Sequence, residues 1–140
     1  MMTFSRPACL LAAMTLVLFA GCINDSPERQ NAFKTLARWE DQRSAPEDSL
    51  LSMIKNDDAH VRLQALRSAG LIGQRSVVPA MITALGDPSE TVGRQAAFSL
   101  GLTGDSAAVP TLEALLVNAN SRLHLAAVQA LAHLENKGRG

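Results

Sequence analysis

The side chains able to do chemistry are few, and their spacing limits what they can do. There are two cysteines, Cys9 and Cys22, and none follows Cys22. That excludes a disulfide framework, a thiolate metal site and a cysteine nucleophile from the body of the chain. The three histidines, His60, His124 and His133, occupy three different positions of an internal repeat set out below. A metal site needs several convergent donors, and His133 and Glu135, two apart on a helix, point in different directions. Nucleophilic catalysis would need a serine held against a base, whereas the serines here fall at helix packing or capping positions. Asp57, Asp58 and Asp87 stand at loop-to-helix junctions, where capping explains them better than acid–base work. These residues give no catalytic group, no metal ligand set and no cofactor site, and the chain is expected not to be an enzyme.

What remains is the framework. The 140 residues leave room for one modest domain once any targeting segment is removed. Lys+Arg and Asp+Glu both number 13, so no global charge draws the chain to nucleic acid or an acidic surface. With no Tyr, one Trp and four Phe, two of them in the leader, a base-stacking platform is excluded. The core must be built from Ala, Leu, Val, Ile and Met, which favours helix on helix over sheet.

Residues 1 to 22 read MMTFSRPACLLAAMTLVLFAGC. Arg6 precedes an apolar run from Ala8 to Ala20 interrupted by Thr15. That run is shorter than the roughly 20 residues needed to span a bilayer core, and it has the proportions of a secretory h-region ahead of small residues. The alternative is an uncleaved anchor extended through Ile23. The end of the run, Leu18-Phe19-Ala20-Gly21-Cys22, resembles a bacterial lipobox, with Ala20 and Gly21 at the small positions and Phe19 where Leu is usual. The resemblance implies cleavage before Cys22, diacylation of its thiol and acylation of the new amino terminus. Two or more acyl chains anchor stably where one binds marginally. Ile23 rather than Asp after the cysteine implies delivery to the outer membrane, on its periplasmic face. Asn24 to Gln30 (NDSPERQ) are polar and read as a tether.

The chain then repeats itself every 31 residues. Val61, Val92 and Leu123 fall in register, as do Ala65, Ala96 and Ala127, then Ser68, Ser99 and Ala130, then Ala69, Leu100 and Leu131. Gly70 matches Gly101, Gly73 matches Gly104, and Pro79 matches Pro110. Val78 and Val109, Met81 and Leu112, and Leu85 and Leu116 continue the series. Each unit reads as two helices. In Asp87-Pro88-Ser89-Glu90, Asp is expected to cap, Pro to open the helix and Glu to reach back. Gly101 and Gly104 are expected to end that helix, and Asp105 or Ser106 to cap the next, with Pro110 in its opening turn. Val109, Leu112 and Leu116 give the second helix its stripe, and the alanines at 65, 96 and 127 permit close helix approach.

The phrases DDAHVRLQALRSAGLIGQRSVVPAMITAL and DPSETVGRQAAFSLGLTGDSAAVPTLEALL resemble HEAT repeats, in particular the short bacterial type found also in phycobilin lyases. Val61-Arg62 keeps the family's Val-Arg pair, but Gly93 and His124 replace the Arg later. The resemblance implies an all-α fold, an α-solenoid of about three and a half HEAT-like helix pairs, and it implies little about activity. The related deoxyhypusine hydroxylases hold iron with His-Glu pairs; no His here precedes Glu, so that site does not carry over. Ala32 to Trp39 and Ser49 to Ile54 read as a divergent first unit around an irregular loop, the more polar end that a solenoid needs. The boundaries are a signal peptide over 1–21, a tether over 22–30, a repeat domain over 31–136 and a polar tail over 137–140. The units fall at about 31–55, 56–86, 87–117 and 118–136, the last with a first helix only.

The second helices of such a solenoid usually line its concave face. Their residues outside the stripe are Ser49 and Ser52, Ala80 and Thr83, and Thr111 and Ala114, with Glu113 beside them. This uncharged strip is a candidate surface for a partner peptide or helix; the other reading is that small residues there only permit curvature. The expected function is a lipid-anchored scaffold or adaptor in the bacterial cell envelope, bound to a protein partner, with no nucleic acid and no metal. The alternative is an accessory subunit of an enzyme complex, or a lyase-like protein acting on a prosthetic group.

Overall fold

In a computed structural model, residues 26–117 and 121–138 are described. Cys22 and the leader lie outside them. Among the described residues there are seven α-helices and no strand: α1 (Pro27–Gln42), α2 (Glu47–Ile54), α3 (Ala59–Ile72), α4 (Val78–Ala84), α5 (Glu90–Thr103), α6 (Val109–Val117) and α7 (His124–Gly138). Short 3₁₀ turns, Arg75–Val77 and Ser106–Ala108, lead into α4 and α6.

The chain divides into two units at Gln30, and only the end of the first is described. There the Ser26 hydroxyl accepts from Arg29 N (3.2 Å), and Pro27 takes the first helical position, where its missing N–H costs nothing. Residues 27–30, expected to belong to the tether, are the first turn of α1.

The second unit, Asn31 onward, is a two-layer helical stack. The most extensive pairings join α3 to α5 and α5 to α7, the first helices of consecutive repeats. The second helices α2, α4 and α6 each pack against the first helix of the next repeat. The core runs continuously through Leu36, Leu50, Leu66, Met81, Val92, Leu100, Leu112 and Ala127. An all-α stack of helix pairs is thus the architecture, as the 31-residue period requires.

Close packing of the first helices depends on glycine inside them. A Cβ on Gly70 would lie 2.9 Å from the Cα and Cβ of Ser99, and one on Gly101 would lie 2.9 Å from the Cα of Ala130. Gly101 was expected to end its helix. It does not: α5 continues through Thr103 and ends at Gly104, whose φ of 70° is the left-handed C-cap conformation. Gly73 closes α3 in the same way, with φ 78°.

Two further expectations change. Asp87 does not cap α5 and Pro88 does not open it; the helix starts at Glu90 with Ser89 at its N-cap. The reason is local. The Asp87 carboxylate accepts from Ser89 N (2.8 Å), as Asn56 Oδ1 accepts from Asp58 N (2.9 Å) one repeat earlier, and each turn delays the helix by two residues. At the other end, Lys137 and Gly138, expected to open a polar tail over 137–140, belong to the last turn of α7.

Candidate functional site

The strongest polar constellation joins two repeats. Arg62, on the first turn of α3, donates from Nε to Asp87 Oδ2 (2.8 Å) and from Nη2 to Asp87 Oδ1 (2.9 Å). Its Nη1 donates to the carbonyls of Asn56 (2.8 Å) and Asp57 (2.9 Å). A planar guanidinium suits this four-bond arrangement, and the bidentate fork gives it direction as well as strength. The hydrogen bond to Arg62 holds the Asp87 carboxyl below its usual range, assisted by Ser89 N, against the opposing effect of burial. The hydrogen bond to Asp87 raises the Arg62 pKa in turn, again against desolvation. With both Asp87 oxygens accepting hydrogen bonds and the carboxylate held ionised, this pair is a latch between units and has no proton to exchange near neutral pH.

The latch is not repeated. Gly93 and His124 stand in the register of Arg62, and beside Gly93 lies a cleft of about 340 Å³ lined by Leu85, Asp87, Glu90, Leu115 and Leu123, among others.

The candidate strip on the second helices is only partly brought together. Ser49, Ser52, Thr83, Glu113 and Ala114 are exposed, and Ala80 and Thr111 are half-buried. Ala80 and Thr83 share a shallow cleft with Ile54, Arg62 and Asp87. The Thr83 hydroxyl is spent on its own helix, donating to Pro79 O (3.1 Å). Glu113 faces elsewhere, into a groove between α6 and α7. Ser49, Ser52, Thr111 and Ala114 line neither.

That groove, about 780 Å³, is the largest concavity described. Val109 and Leu116 of α6 form one wall, Val128, Leu131 and Leu134 of α7 the other, with Glu113, Glu135, Arg75 and Lys137 at the rim. Its apolar side chains are uncovered relative to their repeat counterparts. Leu66 and Ala97 are 0% exposed, whereas Val128 in the same register is 44% exposed. Ala69 and Leu100 are fully buried; Leu131 is half-buried. One repeat earlier, α4 meets the turn that leads into α6, and Ala108 and Leu112 are fully buried there. Among the described residues no helix takes the corresponding place beside α7.

Reading the sequence alone missed this groove and Lys137. The signal was present: Val128 is apolar in the register of Leu66 and Ala97, in a unit given only one helix. Lys137 was assigned to the tail, yet its ammonium donates to Leu102 O (2.7 Å) and Thr103 O (3.4 Å). It caps the carbonyl end of α5, where a cation is favoured by the helix dipole.

Of the histidines, His133 lies edge-on to Phe98, with ring centroids 5.8 Å apart, and His124 Nδ1 is buried without a hydrogen-bond partner among the described residues. Among those residues no group of three or more His, Cys, Asp or Glu side chains could hold a metal ion. No helix among them is long and apolar enough to cross a membrane.

No curated protein matches the chain. The family model described as HEAT repeats matches residues 47–132, from the start of α2 into α7. That span covers more than half of the chain and takes in the inter-repeat latch, both close-approach glycines and most of the open groove. Together with the paired-helix stack, it makes this chain a member of the HEAT-repeat family.

Proposed function

We propose that the protein is a scaffold that binds another protein through the groove between α6 and α7, and that an acylated Cys22 holds it in the bacterial cell envelope. The observation that carries the binding role is the exposure of Val128, and the partial exposure of Leu131 beside it, at positions whose repeat counterparts are fully buried. HEAT repeats serve widely as protein-interaction scaffolds, and an apolar trough between two helices suits the apolar face of a third. The charges at the rim, two acidic and two basic, set its register without favouring either sign. The proposed role is one of binding, without catalysis: the strongest polar pair is engaged with its own partners, and the groove is mainly apolar.

The anchor reading rests on Leu18-Phe19-Ala20-Gly21-Cys22 and its likeness to a lipobox. It places the protein on the periplasmic side of the outer membrane, with α1 beginning five residues after Cys22. One experiment addresses both parts. A photo-crosslinking residue at position 132 of the full chain, in the cells that make it, should join it to a defined envelope protein. Val128→Arg should abolish that product. Cys22→Ser should release the chain from the membrane fraction and remove acyl mass from its amino-terminal peptide. An unchanged crosslink in the Val128→Arg variant would discard the groove, and an unacylated wild-type Cys22 would discard the anchor.

A further inference from the structure

We infer that a second docking surface, on the outer side of the first-helix layer, takes an acidic amphipathic helix from a partner protein. It lies between α5 and α7 and is a separate face from the α6–α7 groove. It extends the scaffold reading to a partner of stated charge.

The surface is a trough of about 500 Å³ lined by Thr91, Arg94, Gln95, Phe98, Arg122, Leu125, Ala126 and Gln129. Its floor is apolar. Phe98 is 39% exposed and Leu125 is 69% exposed, and the two lie together in one trough, where apolar side chains that share a patch mark a contact surface. The Phe98 ring is fixed edge-on against His133, with the planes at 88°, so that it offers a rigid surface. Two guanidiniums flank this floor and no carboxylate lines it. Arg94 has only a long contact to Glu90, at 3.8 Å, between exposed side chains, which screening leaves weak. Arg122 makes no hydrogen bond or ion pair with any described residue. Gln95 is already committed, donating to Ser99 Oγ (3.0 Å).

The repeat shows that this chemistry is particular to one junction. Phe98 stands in the register of Arg67, and Leu125 in that of Arg94 and Leu63. Among the described residues, an exposed aromatic, an exposed leucine and two arginines converge on one trough between α5 and α7. A trough with apolar floor and cationic walls matches one helix carrying an apolar ridge between carboxylates. An anionic bilayer is the poorer match. Surfaces that recognise anionic lipid gather clusters of about four to eight basic residues, and here only two line the trough.

The test uses the full chain and three probes. The first is a fluorescein-labelled 18-residue helical peptide of Ala, Leu and Glu, with Leu at i, i+4 and i+7 and Glu on both flanks. The second has Lys for every Glu. The third is a vesicle of phosphatidylglycerol and phosphatidylcholine. The acidic peptide should bind at least tenfold more tightly than the lysine peptide, and its affinity should fall as salt is raised. Arg94→Glu with Arg122→Glu should weaken it tenfold or more, as should Leu125→Glu, while circular dichroism and melting temperature stay at the wild-type values. Val128→Arg, which blocks the other groove, should leave this binding unchanged, so failure of one surface is distinguishable from failure of the other. Equal binding of the two peptides, or no response to the arginine substitutions, would overturn the inference. Arginine-dependent binding to the vesicles without binding to the acidic peptide would overturn it in favour of a membrane face.

Discussion

At the residue scale, one arginine adds a polar tie to the most extensive helix junction. Arg62 ties the carbonyls that begin one repeat to the carboxylate that begins the next. Removing either partner strands the other in a largely buried place, so Asp87→Asn and Arg62→Ala should each lower unfolding free energy by about 2 kcal/mol, read by urea denaturation. Arg62→Lys should recover little, because an ammonium cannot reproduce the fork. The pH dependence follows from the lowered pKa of Asp87. A depressed folded-state pKa contributes stability that is fully present above the ordinary carboxylate value of 3.8 and is lost as pH falls through the lower folded value. The stability gap between wild type and Asp87→Asn should therefore hold constant from pH 7 to about pH 5 and close in stronger acid. Lys137 is a smaller case of the same kind. Its ammonium is exposed, so Lys137→Ala should cost about 0.5–1 kcal/mol at low salt and less at high salt.

At the element scale, the first helices are held apart by less than a methyl group. Replacing glycine by alanine inside a helix ordinarily gains about 1 kcal/mol. At Gly70 and Gly101 the new Cβ would sit 2.9 Å from Ser99 and Ala130, much of the opposing surface being backbone. Gly70→Ala and Gly101→Ala should therefore destabilise by about 1–3 kcal/mol. Gly86→Ala, whose nearest neighbour would lie at 3.6 Å, should stay close to wild type in the same thermal melts. These helices also show what the sequence could reveal. The 31-residue register placed every repeat of the first helix, because side chains at one depth in consecutive units face the same neighbours. It could not distinguish a glycine that ends a helix from one that admits another, since both sit near the same terminus. Asp87 illustrates the same limit: Asp-Pro-Ser-Glu fits a cap locally, and only the partner 25 residues earlier, Arg62, reveals the ion pair. The α6–α7 groove was harder to read for a related reason: apolar Val128 carried the signal, but exposure depends on what is absent from a surface as well as on what the residues are.

At the scale of the whole molecule, stability in a stack of repeats is a sum over units and the junctions between them. The junctions here are unequal. The α3–α5 junction has the Arg62 latch and the wider helix contact; the α5–α7 junction has Gly93 in the latch position and a cleft beside it. Hydrogen exchange followed by mass spectrometry should find the α7 amides exchanging faster than those of α3 and α5. A helix bound between α6 and α7 should slow α7 selectively; uniform protection across all three helices, with or without it, would contradict this ranking. The missing guanidinium at Gly93 also has a mechanical consequence. If the amino-terminal side is moored and a partner pulls on α7, the load crosses the unlatched α5–α7 seam before it reaches the latched pair. In an optical trap the stack should yield in two steps, α7 peeling away at low force while the remainder stays folded, so that the protein would let go of a strained cargo before it lost its own core.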